Sequence, residues 1–241
     1  MIEARYWAVI PAAGVGRRMG SDIPKQYLPL AGRTVLEWAI EPYLEDTRCQ
    51  TVTVVIAADD PHWSGLSLKH SKLRVAFGGA ERMHSVLAGL VSISPISDDA
   101  WVMVHDAARP CLHNHDIDKL LLETMSDSVG GILACPLADT LKLADEDQRI
   151  IQTIPRANLW RAQTPQLFRA GLLKKALQSA LSSTALVTDE AAAIEAQGYQ
   201  PKLIEGRTDN IKITVSADIT LAARILSARD AAKLPKLQAH D

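Results

Sequence analysis

Apolar, β-branched runs with few polar residues constrain this chain most. They stand at residues 6–12 (YWAVIPA), 51–57 (TVTVVIA), 73–77, 101–105 (WVMVH), 131–136 (GILACP) and 201–205. A strand wetted on one face alternates apolar with polar residues; a strand covered on both faces does not. The runs therefore predict a mostly parallel sheet with helices on both sides. Helical patterns do fall between them: 35–44 with Thr34 as N-cap, 86–92 with Ser85 as cap, 172–181, a start at Asp189 and Glu190 after Thr188, and 217–229 opened by Ser216 and Asp218. Pro42 is expected to end or kink the first helix. The alternation predicts a three-layer α/β fold, whose ligands sit at the carboxyl ends of the strands.

At the end of the first run lies the chain's most informative loop. Residues 10–29 read IPAAGVGRRMGSDIPKQYLP, with Gly14, Gly16 and Gly20 beside Arg17, Arg18 and Lys25. Glycine lets backbone N–H groups approach an anion, and the three cations place fixed charge on it. That combination suits a triphosphate, although strand–glycine–helix starts also occur where no nucleotide binds. Two phosphate templates are excluded. A G-x-G-x-x-G would need glycine where Met19 stands, and a P-loop fails because Gly20 is followed by Ser21.

Further strand ends carry chemistry. Residues 105–110 read HDAARP, and Asp106 could bind Mg²⁺ or a substrate hydroxyl, or form a local ion pair with Arg109. Gly78-Gly79 precedes a helix start and can present N–H groups to a base edge or a phosphate, or simply make a tight turn. In 206–214 (GRTDNIKIT), Asp209 could complement Asp106 near a metal and Lys212 could meet a phosphate; a solvated charge run is the alternative. The seven histidines show no metal-ligand spacing, and His113-Asn114-His115 reads as surface loop. One segment breaks the α/β alternation. Around the polar turn 145–148, residues 140–143 and 149–154 alternate as a hairpin, which is marginal alone and needs a surface to lie on, its own domain or a partner subunit.

The bulk numbers limit function further. A length of 241 residues suits one α/β domain, and a net charge of −2 makes no case for nucleic acid. Three scattered cysteines argue against a disulfide framework, and no apolar run approaches a membrane span. Without an apolar leader in MIEARYWAVI, a cytoplasmic location is expected.

Taken together, PAAGVGRRMG, PKQYLPL, GGAERMHSV, HDAARPCL, TPQLF, TDEA and EGRTDNIKIT resemble, in order, the 2-C-methyl-D-erythritol 4-phosphate cytidylyltransferase family of the non-mevalonate isoprenoid pathway, over residues 8–222. The resemblance implies a three-layer Rossmann-like nucleotidyltransferase fold. It would form one domain over 1–230, with a protruding β-hairpin arm at 137–156 and a polar tail at 231–241. It implies transfer of CMP from CTP to methylerythritol phosphate with Mg²⁺, in a cytoplasmic homodimer built through the arm. By that resemblance Arg18 and Lys25 are the catalytic cations. Ala12, Ala13, Gly14, Gly16, Gly79, Ser85 and Lys212 contact CTP. Asp106, Arg109, Thr140, Arg156, Thr188 and Lys212 contact the sugar phosphate, with Thr140 and Arg156 serving the neighbouring subunit's site. Asp106 and Asp209 are the candidate metal ligands. Where members often carry Asp or Asn after the glycine pair, this chain has Ala80. Ribitol 5-phosphate cytidylyltransferase and a silent nucleotide-sensing module are the alternatives. PAAG and HDAARP, in place of LAGG and HDSVRP, favour the first reading.

Overall fold

The computed structural model describes residues 5–14, 23–79, 81–182 and 187–233. The chain begins with β1 (Tyr6–Pro11), a small hairpin of β2 (Pro29–Leu30) and β3 (Arg33–Thr34), and α1 (Val35–Glu45). β4 (Cys49–Ile56), β5 (Leu73–Phe77), α2 (Arg82–Ser92), β6 (Trp101–Val104), α3 (Asn114–Thr124) and β7 (Gly130–Pro136) follow. Then come β8 (Leu141–Ala144), β9 (Ile150–Ile154), β10 (Trp160–Arg169), α4 (Ala170–Leu181), α5 (Glu190–Glu195), β11 (Lys202–Glu205) and α6 (Ser216–Lys233).

Seven strands form one sheet in the order β11-β7-β10-β6-β1-β4-β5. All pairings are parallel except the two made by β10. In the inner strands alternate residues enter different cores, which is why those runs lack polar alternates; the edge strands β5 and β11 depart from the expectation, since with a neighbour on one side only they leave Phe77 and Leu203 exposed. Tyr6, Ala8 and Ile10 pack with Leu36 and Ile40 of α1 and Leu120 of α3. Val9 packs on the other side with Val86 of α2, Leu173 of α4 and Ile194 of α5. Layers touch closely where α2 crosses the sheet: a Cβ on Gly89 would lie 2.7 Å from side-chain atoms of both Val9 and Val55. A third cluster, with Ala222 and Leu226 of α6 against Trp38 and Ile213, fastens the last helix beside α1.

Most expected elements are present, and the differences have physical causes. Thr34 caps α1 in a full capping box with Glu37. Pro42 does not end that helix, which continues to Glu45 with Pro42, Tyr43 and the preceding turn buried against the sheet; packing outweighs the lost N–H. Ser85 is no cap. α2 starts a turn earlier with Glu81 at the N-cap position, and Ser85 Oγ instead donates to the Glu81 carbonyl. His113 is not loop: its ring accepts from the His115 N–H and caps α3. The longest of the unforeseen strands is β10, whose sequence WRAQTPQLFR holds Pro165. Its pairing with β7 is interrupted between Ala162 and Gln166, so Pro165 removes no ladder bond and Gln163 and Thr164 leave the ladder. Of the expected polar tail, residues 231–233 continue α6 and the rest lies outside the described residues. Among the described residues no helix is long and apolar enough to cross a membrane.

Candidate active site

Beyond the carboxyl ends of β1, β5 and β6 the chain opens into two adjoining cavities. The sheet order changes direction here, because β1 is flanked by β6 on one side and β4 on the other. The first cavity, about 300 Å³, is lined by Ala12, Ala13, Gly14, Lys25, Gly79 and Ser85, among others. Gln26 shapes its floor. This buried amide donates to the carbonyls of Ala12 (2.6 Å) and Gly14 (3.0 Å) and so staples the turn 25–27 to the end of β1. Lys25 reaches the Ile213 carbonyl at 2.9 Å. Gly78 is required by contact: a Cβ there would overlap the Ser85 hydroxyl.

A second cavity, about 170 Å³, adjoins it and includes Arg109, Thr164, Thr188 and Asp189 in its lining. Arg82, Asp106 and Lys212 line both. Asp106 is only 7% exposed. Its Oδ1 lies 3.0 Å from Arg82, and its Oδ2 lies 2.8 Å from Lys212 Nζ and 3.5 Å from Arg109 Nε. Burial would raise its pKa, but Arg82, Lys212 and Arg109 outweigh that and hold the carboxyl far below the usual range. Arg109 spends its terminal nitrogens on the carbonyls of Asn210 (2.8 Å) and Ala162 (3.4 Å). Its Nε is buried with no hydrogen-bond partner, a donor left facing Asp106 and the cavity.

Behind Asp106 runs a directed chain of hydrogen bonds. The Asp106 N–H donates to Thr164 Oγ1 at 3.0 Å. The Arg109 carbonyl can only accept, so His105 Nε2–H donates to it at 3.0 Å, and the bare Nδ1 of the neutral ring accepts from the Thr164 hydroxyl at 3.0 Å. This wiring requires the neutral Nε2–H tautomer. Burial pushes the His105 pKa down to about 4, and the Arg109 cation works in the same direction, although the Arg109 carbonyl and Asp106 oppose it. A pKa lower in the fold than in the unfolded chain gives stability that is complete above about 6.5 and is lost as pH falls toward about 4. The melting temperature is therefore expected to drop more between pH 7 and 5 in the native protein than in His105→Gln. Parallel curves would contradict this.

Residues 6–228 match the family model of IspD, 2-C-methyl-D-erythritol 4-phosphate cytidylyltransferase. The chain is 52% identical over 217 residues to the 2-C-methyl-D-erythritol 4-phosphate cytidylyltransferase of Pseudomonas aeruginosa strain UCBPP-PA14, covering 89% of this chain and 93% of that one. The chain belongs to this family. It is an enzyme, a nucleotidyltransferase. The cytidylyltransferase structure from Francisella tularensis superposes with a TM-score of 0.81 at 38% identity, covering 92% of this chain and all of that one. A structure of 4-diphosphocytidyl-2C-methyl-D-erythritol synthase also gives 0.81, at 34% identity, covering 92% and 99%.

Within this cytidylyltransferase frame, the structure gathers most of the expected residues. Ala12, Ala13, Gly14, Lys25, Gly79, Ser85 and Lys212 meet at the first cavity; Asp106, Arg109, Thr188 and Lys212 meet at the second. Arg18 and Gly16 lie outside the described residues, as does Ala80. Thr140 and Arg156 line neither cavity. They flank the β8–β9 hairpin, a separate two-stranded sheet, and the Arg156 guanidinium bonds to the Ala138 carbonyl. Asp209 is likewise absent from both linings and forms a fork with Arg207 at 2.6 Å. Two acidic–basic partnerships thus occupy the candidate metal ligands, Asp106 with three cations and Asp209 with one. Among the described residues no three His, Cys, Asp or Glu side chains cluster as a metal site. These carboxylates do not fit a protein-held Mg²⁺. Sequence reading gave no place in the site to Gln26, Arg82, Thr164 or Glu190, and took Glu190 only as a charge at a helix start. Arg82 and Glu190 stand inside the GGAERMHSV and TDEA motifs, but nothing in those motifs shows that they touch.

Proposed function

We propose that the first cavity takes CTP and the second takes 2-C-methyl-D-erythritol 4-phosphate, with Asp106, Arg82 and Lys212 as their common wall. The observation that carries this is the shared wall itself. Two substrates joined by transfer of a nucleotidyl group need adjoining pockets and a cationic seam between them. A phosphate oxygen of the sugar phosphate attacks the α-phosphorus of CTP. The bond from that phosphorus to the bridging oxygen breaks, and pyrophosphate leaves with the electron pair. The attacking oxygen is already anionic, so no protein nucleophile or base is needed. Lys25 and Arg18 stabilise the charge gathering on the pentacoordinate centre, and Lys212 holds phosphate at the seam. Asp106 accepts hydroxyl protons of the polyol, and the Nε–H of Arg109 donates to it. Thr188 closes the acceptor side. Mg²⁺ enters with the triphosphate, whose oxygens suit this hard cation better than carboxylates already paired with arginine and lysine.

The arm supports a homodimer. Its strands expose Leu143, Ile150 and Ile151, the last two at 65% and 60%, and a two-stranded sheet is marginal alone. In the dimer Thr140 and Arg156 reach the partner's sugar phosphate. A cytoplasmic location accords with Cys49, Cys111 and Cys135 all being free thiols. Pyrophosphate release with CTP and Mg²⁺ tests the reading: release with methylerythritol 4-phosphate and none with ribitol 5-phosphate is expected. Release with ribitol 5-phosphate alone would move the acceptor, and CTP binding without release would leave a sensor.

A further inference from the structure

Arg82 stands at the first turn of α2, three residues after Gly79 of the nucleotide cavity. Its guanidinium makes two sets of bonds. Nη1 and Nη2 fork onto both oxygens of Glu190 at 2.5 and 3.0 Å. Nε and Nη2 meet Asp106 Oδ1 at 3.1 and 3.0 Å. Glu190 is 1% exposed and opens α5, two residues after Thr188. Burial raises its pKa, with Arg82 opposing. Burial would also lower the pKa of Arg82, but Glu190 and Asp106 outweigh it and keep the group charged.

One planar group thus joins three loops that are remote in sequence: the β5–α2 loop, the β6–α3 loop carrying Asp106, and the α4–α5 loop carrying Thr188. A buried ion pair is weak evidence for stability, since desolvation offsets much of the attraction. Stability is therefore a poor explanation for keeping it. Its geometry offers another: Arg109 and Lys212 both pull on Asp106 Oδ2, while Arg82 holds Oδ1 and fixes the rotation of the carboxylate.

We propose that Arg82, anchored by Glu190, is a positioning residue for the acceptor substrate: it sets the orientation of Asp106 and the spacing between Asp106 and Thr188. This deepens the assignment of Asp106 to the polyol and rests on it. Arg82→Met removes the fork and strands Glu190 as a buried carboxylate. It should lower the melting temperature and raise KM for methylerythritol phosphate by about tenfold or more, the scale of one lost charge-assisted hydrogen bond. KM for CTP should change by less than about threefold on the same scale.

The deciding variant is Arg82→Met with Glu190→Gln. It removes both charges of the fork, while Asp106 keeps Arg109 and Lys212 as partners. Its melting temperature should recover toward the native value, and its KM for methylerythritol phosphate should stay raised. Recovery of KM together with stability would overturn the proposal, because Arg82 would then be structural only. So would a defect that falls on CTP. Asp106→Asn serves as the control. A native KM for the acceptor in that variant overturns the assignment of Asp106, and this proposal with it. A raised KM in Asp106→Asn beside a native KM in the double variant overturns the positioning role alone.

Discussion

Lys25→Ala should lower kcat by about 10²–10³-fold, the scale of losing one preorganised group that stabilises transition-state charge. Steady-state pyrophosphate release checks it. Lys25 opens a turn that is held by the bonds from Gln26 to Ala12 and Gly14. These bonds belong to the neighbouring side chain and survive the substitution. The change removes a charge and the bond to the Ile213 carbonyl, while Gln26 keeps the turn in place. KM for CTP should therefore rise much less than kcat falls, and the melting temperature should shift by only a few degrees, as for about 1 kcal/mol in a domain of this size. A near-native kcat would remove Lys25 from the chemistry. A collapse of stability equal to the loss of rate would make it a structural residue. Arg18→Ala is expected to behave alike.

The second large effect is complementation between subunits. Arg156→Ala should raise KM for the sugar phosphate by on the order of 10–10²-fold, because it removes a charge-assisted contact to phosphate. If the arm serves the neighbouring site, a dimer of one Lys25→Ala chain and one Arg156→Ala chain contains one intact site. The pocket of the second chain keeps Lys25, and the arm of the first keeps Arg156. Random assembly makes half the dimers mixed, so co-expressed chains should recover roughly a quarter of native activity at low sugar phosphate. Each variant alone should remain near its own background. No recovery would place Arg156 in its own chain's site or outside both sites. A rise in KM for CTP in Arg156→Ala would place the arm over the nucleotide.

The sheet and its layers were legible because burial on both faces leaves a local mark. Residues such as Val52, Val54 and Val55 need no partner to be known before they read as covered on both sides. The Thr34 cap and the helix start at Asp189 are equally local, each side chain bonding to the backbone three positions on. The glycine- and cation-bearing strand ends were legible for the same reason. In a parallel sheet all carboxyl ends lie on one edge, so strand ends far apart in sequence meet there. That brings Gly14, Gly79 and Asp106 to one cavity without further information.

What the sequence alone determined is therefore the frame and most of the cavity wall, since these follow from local periodicity and strand direction. The tertiary structure alone decided the antiparallel β10, because its Pro165 reads as a strand breaker until the interrupted register takes away the need for its N–H. It alone decided the partners of Asp106 as well. A carboxylate after a strand is equally suited to a metal, a hydroxyl or an arginine, and only distance selects among them. Arg82 and Glu190 lie 108 residues apart. No local pattern records their contact; it exists because α2 and α5 pack on the same face of the sheet.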